Sequence, residues 1–124
     1  MRVLLSIKPE YVKRIFNGTK KFEYRKKIFK NKDVNTIVIY ATKPVGKVVG
    51  EFSIRDIIQD NPNKIWNLTS EYSGISKNSF DEYFHNAQEG FAIEIDSFTK
   101  YKEALELNEV SKKVKNAPQS FIYI

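Results

Sequence analysis

The sequence predicts an α+β fold, a small mixed or antiparallel β-barrel of five to six strands with flanking helices. Three observations carry that reading. The expected elements run β-α-β-β-β-α-α-β-(α)-β, so strands predominate and no regular βα repeat argues for a doubly wound sheet. Apolar residues make up 41% and aromatic residues 14% of the 124, enough for a packed core in one domain spanning residues 1–124. There is no cysteine, which excludes thiol catalysis, Cys-ligated zinc and a disulfide framework, and leaves apolar packing to hold the fold.

The elements follow in order. "RVLLSI" (2–7) reads as a buried strand. Pro9 then sits where a first helical turn tolerates proline, and Tyr11, Val12, Ile15 and Phe16 share one face of a short amphipathic helix that stops at Asn17-Gly18. Residues 20–25 alternate as a strand, with Lys20, Phe22 and Tyr24 on one side and Lys21, Glu23 and Arg25 on the other. After a polar loop, "TIVIYAT" (36–42) is a β-branched strand ended by Lys43-Pro44, and residues 46–60 form a long strand. Gly50 inside that strand points to a bulge or a close backbone approach. Residues 61–74 read as one helix from Pro62 to Gly74, and 77–87 as another, capped by Asn78 or Ser79. Residues 89–101 alternate as a strand, "LNEVSKKV" offers one more helical turn, and "APQSFIYI" closes as a strand.

Charge is uneven along the chain. Residues 1–47 hold 13 Lys/Arg against 3 Asp/Glu, whereas residues 48–124 hold 8 against 12. The first part therefore carries a positive field suited to phosphates, an anionic lipid surface or an acidic protein partner; the bland reading is a solvated surface that keeps the protein soluble. The apolar run Val3-Leu4-Leu5 is too short for a signal core or a membrane span, so a cytoplasmic protein without membrane contact is expected. One histidine, His85, leaves no His-rich metal site, and no dinucleotide, P-loop, zincin or EF-hand motif is present. No metal or cofactor is expected.

Five places bear chemistry. In Gly18-x-Lys20-x-x-Glu23-x-Arg25, an extended backbone puts Glu23 and Arg25 on one face about 7 Å apart. A carboxylate among cations can accept hydrogen bonds from a ligand, and an arginine can grip a phosphate bidentately. The competing reading is a solvated charge pattern. Ser6 and Lys8 leave the first strand, where loops often build sites, although Ser6 can equally point into the core. Tyr40 and Thr42 share a face at the end of the third strand; Tyr40 suits either base stacking or the core. Trp66 reads as a core anchor or as one wall of a base pocket. His85 is assigned no role.

"LLSIKPEYVKRIFNGTKKFEYRK", "VIYATKPVGKVVGEFSI" and "APQSFIYI" together resemble the ASCH domain family of the PUA-like superfamily. The family's G-x-K-x-x-E-x-R motif is met by Gly18, Lys20, Glu23 and Arg25, and the likeness covers essentially the whole chain. The resemblance implies a PUA-like barrel with a cleft between barrel and helices, where the motif residues converge. It implies RNA or nucleotide binding, with Ser6, Lys8, Lys20, Glu23, Arg25, Tyr40, Thr42, Trp66 and Ser120 as the candidate contacts. An enzymatic alternative is also implied, a small metal-independent hydrolase acting on RNA or on a modified nucleoside, with Lys20, Glu23 and Glu71 as its chemical groups. One group of such enzymes removes the acyl group of N4-acetylcytidine with a lysine, a threonine and a glutamate. This chain has Glu23 where that threonine falls, which argues against that activity.

Overall fold

The computed structural model describes all 124 residues. In chain order it contains β1 (Arg2–Ile7), α1 (Pro9–Phe16), β2 (Phe22–Arg25), β3 (Thr36–Ala41), β4 (Lys47–Asp60), α2 (Pro62–Thr69), α3 (Lys77–Tyr83), β5 (Gly90–Leu105), α4 (Leu107–Val110) and β6 (Phe121–Tyr123). A short 3-10 helix, Ser70–Tyr72, follows α2. The six strands form one curled sheet in the order β2-β5-β4-β3-β1-β6, a half-barrel with β2 and β6 as its edges. Only β1 and β3 pair in parallel, because α1 carries the chain back before β3 is laid down; all other neighbours are antiparallel. No helix is long and apolar enough to cross a membrane.

Strand alternation divides the apolar residues among three clusters. Val3, Leu5, Ile7, Ile37, Ile39, Phe52 and Ile93 face one side of the sheet and are plugged by Val12 and Ile15 of α1. Leu4, Val38, Tyr40 and Val48 face the other side, under Val114 and the C-terminal segment. Ile65, Phe80 and Phe84 fasten α2 and α3 onto Tyr24 of β2 and Ala92 of β5. The expected close approach at Gly50 is present: a Cβ there would meet the Phe16 ring at 2.6 Å, and the pairing with β5 shifts register between Val48 and Gly50.

Several boundaries differ from the sequence reading. The helix expected to reach Gly74 stops at Thr69 and tightens into the 3-10 turn. Ser76, not Asn78 or Ser79, caps α3: its Oγ accepts from the Ser79 amide at 3.1 Å. The same helix ends at Tyr83 rather than 87, where Asn86 enters the left-handed region at φ +63°. At the start of α2, Asn61 Oδ1 accepts the Lys64 amide at 2.9 Å. Asn61→Ala is expected to lower the free energy of unfolding in urea by about 1 kcal/mol, the usual cost of losing such a cap; no measurable change would mean that tertiary packing alone holds this helix end.

Candidate functional site

A cleft of about 650 Å³ opens between the end of β1, the edge strand β2 and helix α3. Ser6, Lys8, Lys20, Glu23, Arg25 and Thr42 line it, so six of the nine candidate contacts converge on one cavity. Its remaining wall includes Tyr11, Tyr24, Lys26, Ile75, Ser79, Glu82, Tyr83 and Gln119.

Lys20 is the most constrained of these groups. It is only 2% exposed, and its Nζ donates to the Ser73 carbonyl at 2.8 Å. The same Nζ lies 4.7 Å from the Tyr24 ring centroid and 5.2 Å from that of Tyr11, so two aromatic faces replace much of its lost water. That replacement is incomplete. Burial lowers its pKa from 10.5 to about 8, with Glu23 opposing the shift and Arg14 adding to it. Gly74 makes the arrangement possible. It sits at φ +63°, and a Cβ there would lie 2.6 Å from Lys20 Cγ. Its carbonyl accepts from Arg14 Nη1 at 2.8 Å, which holds the 73–74 turn down over the lysine stem.

Glu23 and Arg25 do share a face of β2, as alternation requires. Arg25 Nη1 donates to Glu23 Oε2 at 3.3 Å and to the Ser6 carbonyl at 3.3 Å; Nη2 donates to the Ser120 carbonyl at 2.9 Å. One guanidinium thus reaches from edge strand β2 to β1 and to the entry of β6. Ser120 itself takes part through its backbone carbonyl, and Gln119 beside it faces the cleft. Glu23 is 6% exposed and uses one oxygen on Arg25; no protein group bonds its Oε1. Ser6 Oγ donates to the Pro118 carbonyl at 2.8 Å, which ties the closing segment to the cleft rim.

Tyr24 lines the floor. Thr69 spends its single proton on the Ile65 carbonyl at 2.7 Å, so the Tyr24 hydroxyl donates to Thr69 Oγ1 at 2.8 Å. Burial pushes the Tyr24 pKa up to about 12, so it stays neutral through the range in which Lys20 titrates. At the opposite wall the Lys26 amide donates to the Tyr83 hydroxyl at 3.2 Å, and Lys26 Nζ lies 5.0 Å from that ring centroid. Burial raises the Tyr83 pKa as well.

Three candidates lie elsewhere. Tyr40 is 9% exposed and packs with Leu4, Val38, Val48 and Val114 on the far face of the sheet. It does not share Thr42's surroundings, because β3 ends at Ala41 and Thr42 has already turned into the cleft. Trp66 packs on Phe80 with ring centroids 4.9 Å apart, between α2 and α3, and lines no part of the cleft. Glu71 is exposed on the 3-10 helix and is not among the lining residues. Thr19 hydrogen-bonds Asn17 Oδ1 at 2.7 Å on the outside of the turn. The lysine, threonine and glutamate of the deacylase arrangement are therefore not assembled here.

The sequence reading also missed part of the wall. Lys26, which is not among the contacts named from sequence, lines the cleft. Ser79, Glu82 and Tyr83 stand at helical spacing i, i+3, i+4 on one face of α3, a signal that was present in the sequence. Tyr11 belongs to the predicted amphipathic face of α1 but contributes its ring to Lys20.

Comparison with known proteins agrees with this architecture. The ASCH domain family model matches residues 5–115. An ASCH domain-containing ribonuclease of Zymomonas mobilis is 30% identical over 90 residues, covering 73% of this chain and 61% of that protein. The crystal structure of ASCH from Zymomonas mobilis superposes with a TM-score of 0.89 at 25% identity, covering 99% of this chain and 87% of the other. Residues of this chain also align with the ATP synthase subunit alpha of Ureaplasma parvum at 28% identity over 123 residues, which is 98% of this chain but 15% of that protein. The chain thus spans less than two thirds of the length of these curated relatives. With a family model across residues 5–115 and a matching fold, the chain belongs to the ASCH domain family.

Proposed function

We propose that the cleft binds a single-stranded RNA segment in the cytoplasm, without a cofactor. The observation that carries this reading is the lining itself. Lys8, Lys20, Arg25 and Lys26 are interleaved with the rings of Tyr11, Tyr24 and Tyr83 around one cavity, and the unpartnered Oε1 of Glu23 stands among them. Cations suit phosphates, aromatic faces suit bases, and a carboxylate accepts from a base amino group. The basic 1–47 segment adds a guiding field.

Titration of labelled single-stranded RNA at several salt concentrations tests the proposal. Each phosphate contact is expected to contribute about −0.7 to the slope of log K against log salt. Arg25→Ala is expected to weaken binding about 10-fold or more and to flatten that slope by roughly one contact. Affinity that ignores both salt and Arg25 rejects it.

A second reading, metal-independent cleavage of the bound RNA, is favoured by one observation: Lys20, whose pKa burial lowers to about 8, lines the same cleft as Glu23. Glu23 would take the proton from a ribose 2′-hydroxyl as its oxygen attacks the adjacent phosphorus. Lys20 would give a proton to the leaving 5′-oxygen, leaving a 2′,3′-cyclic phosphate, and Arg25 would hold the phosphoryl oxygens. The similarity to a protein named as a ribonuclease supports it. RNA carrying a 2′-deoxy substitution throughout is expected to bind and remain intact; products from that strand exclude the mechanism.

A further inference from the structure

Two lysine–tyrosine pairs stand at the two ends of edge strand β2. At one end, Lys26 covers Tyr83 inside the cleft. At the other, Lys21 Nζ lies 4.1 Å from the centroid of the Tyr72 ring, outside the cleft lining. The backbone fixes this second pair, because the Lys21 amide donates to the Tyr72 carbonyl at 2.8 Å. Tyr72 is 41% exposed, and Leu68, four residues earlier in α2, is 60% exposed, so the end of α2 and the 3-10 turn present apolar surface to water beside a cation. The adjoining Ser73 carbonyl holds Lys20, so the pair is joined directly to the site.

An exposed cation–π pair is worth little and the ammonium moves freely on its stem. A base and a lysine compete for the same tyrosine face, whereas a nucleotide supplies a phosphate to which the displaced lysine can turn. We propose that Lys21 and Tyr72 form a second nucleotide station, with Tyr72 stacking a base and Lys21 pairing with its phosphate, so that RNA runs along β2 from Tyr83 past Lys20 to Tyr72. Lys21 and Lys26 lie five residues apart, about 17 Å of extended strand. The path is therefore longer than the cleft, and its occupant is a short oligonucleotide rather than a free nucleotide. The proposal rests on the RNA reading of the cleft.

The test measures binding of RNA oligonucleotides from two to eight residues long to wild type, Tyr72→Ala, Tyr72→Phe and Lys21→Ala. Wild-type affinity is expected to rise with length. Tyr72→Ala is expected to weaken the longer oligonucleotides about 5- to 100-fold while leaving the dinucleotide unchanged, and Tyr72→Phe is expected to retain stacking. Lys21→Ala is expected to weaken the longer oligonucleotides and to lower their salt slope. A Tyr72→Ala protein that binds every length as wild type does overturns the second station and leaves the cleft reading standing. A wild-type protein that binds no RNA, or binds it independently of Arg25, overturns the cleft reading itself. Circular dichroism of each variant separates lost binding from lost fold; if Tyr72→Ala is unfolded, the Lys21→Ala length series decides alone.

Discussion

Lys20→Met is expected to yield a protein that is more stable than wild type at pH 7 and has lost the activity proposed for its cleft. The stability half follows from burial. Lys20 is 2% exposed and its pKa is lowered to about 8 from 10.5. Below pH 8 the ammonium is charged in the folded and the unfolded chain alike, and the folded chain carries the full cost of desolvating it. Between pH 8 and 10.5 the folded chain has released a proton that the unfolded chain still holds, so this group's penalty fades as pH rises. Above 10.5 both states are neutral. Methionine keeps the stem and discards the charge, at the loss of the Ser73 hydrogen bond and two cation–π contacts. A net gain of about 1–3 kcal/mol at pH 7, shrinking towards zero by pH 10, is expected in urea denaturation at the two pH values. On the cleavage reading proposed above, the functional half is a fall of about 10²–10⁴-fold in RNA cleavage, the usual contribution of a positioned proton donor. A wild-type pH profile bending near 8, absent from the variant, would accompany it. If Lys20→Met unfolds more easily at pH 7, Lys20 is a structural peg rather than a group held at a cost.

Gly74→Ala is expected to be among the most damaging single-methyl additions to this protein. Two penalties coincide there. A non-glycine residue at φ +63° costs about 1–2 kcal/mol, and forcing atoms into an occupied site costs about 1–3 more. The occupied site is the stem of Lys20, with Cγ at 2.6 Å and Cα at 2.9 Å from the new methyl. The lysine cannot withdraw without breaking its bond to Ser73. Loss of about 2–5 kcal/mol, together with loss of the RNA affinity proposed for the cleft, is expected, read by denaturation and by anisotropy. Gly18→Ala is the control: its φ is +82°, yet a Cβ there meets nothing within 4 Å, so it should carry only the first penalty. Equal effects at the two glycines would show that backbone strain, not crowding of Lys20, sets the cost.

Tyr40 and Trp66, which the sequence leaves open between the core and a ligand wall, share a physical reason for that ambiguity. β3 is a central strand buried on both faces, so "TIVIYA" carries no polar–apolar alternation to tell which face Tyr40 takes. Parity along β3 does put Tyr40 with Val38, away from Ile37 and Ile39. The strand's end at Ala41, which separates Tyr40 from Thr42, leaves no mark in a run of β-branched residues. Trp66 is adjacent to Ile65, and a short helix with apolar neighbours does not announce which of them meets α3. By contrast β5 and β2 were legible. β5 alternates openly, and β2 places Glu23 and Arg25 two residues apart, which a strand converts into contact at 3.3 Å. The clasp on Lys20 was not legible, because Tyr11, Ser73 and Gly74 approach it from elements distant in sequence.

The arginine that joins three strand ends has a consequence for ligand entry. A backbone ladder between β2 and β6 would seal the barrel along its whole length and open only as a unit. Here the seam is fastened by individual donors of Arg25, to the Ser6 and Ser120 carbonyls, each replaceable by a bond to an incoming oxyanion, while its bond to Glu23 stays within β2. The barrel is in effect buttoned rather than welded. A ligand that draws Arg25 inward loosens the buttons it displaces, so the width of the gap and the strength of the grip are set by the same side chain. Substitution at this position therefore alters the container and the contact together, and lysine, with one point charge in place of a fork, can serve only one of the two at a time.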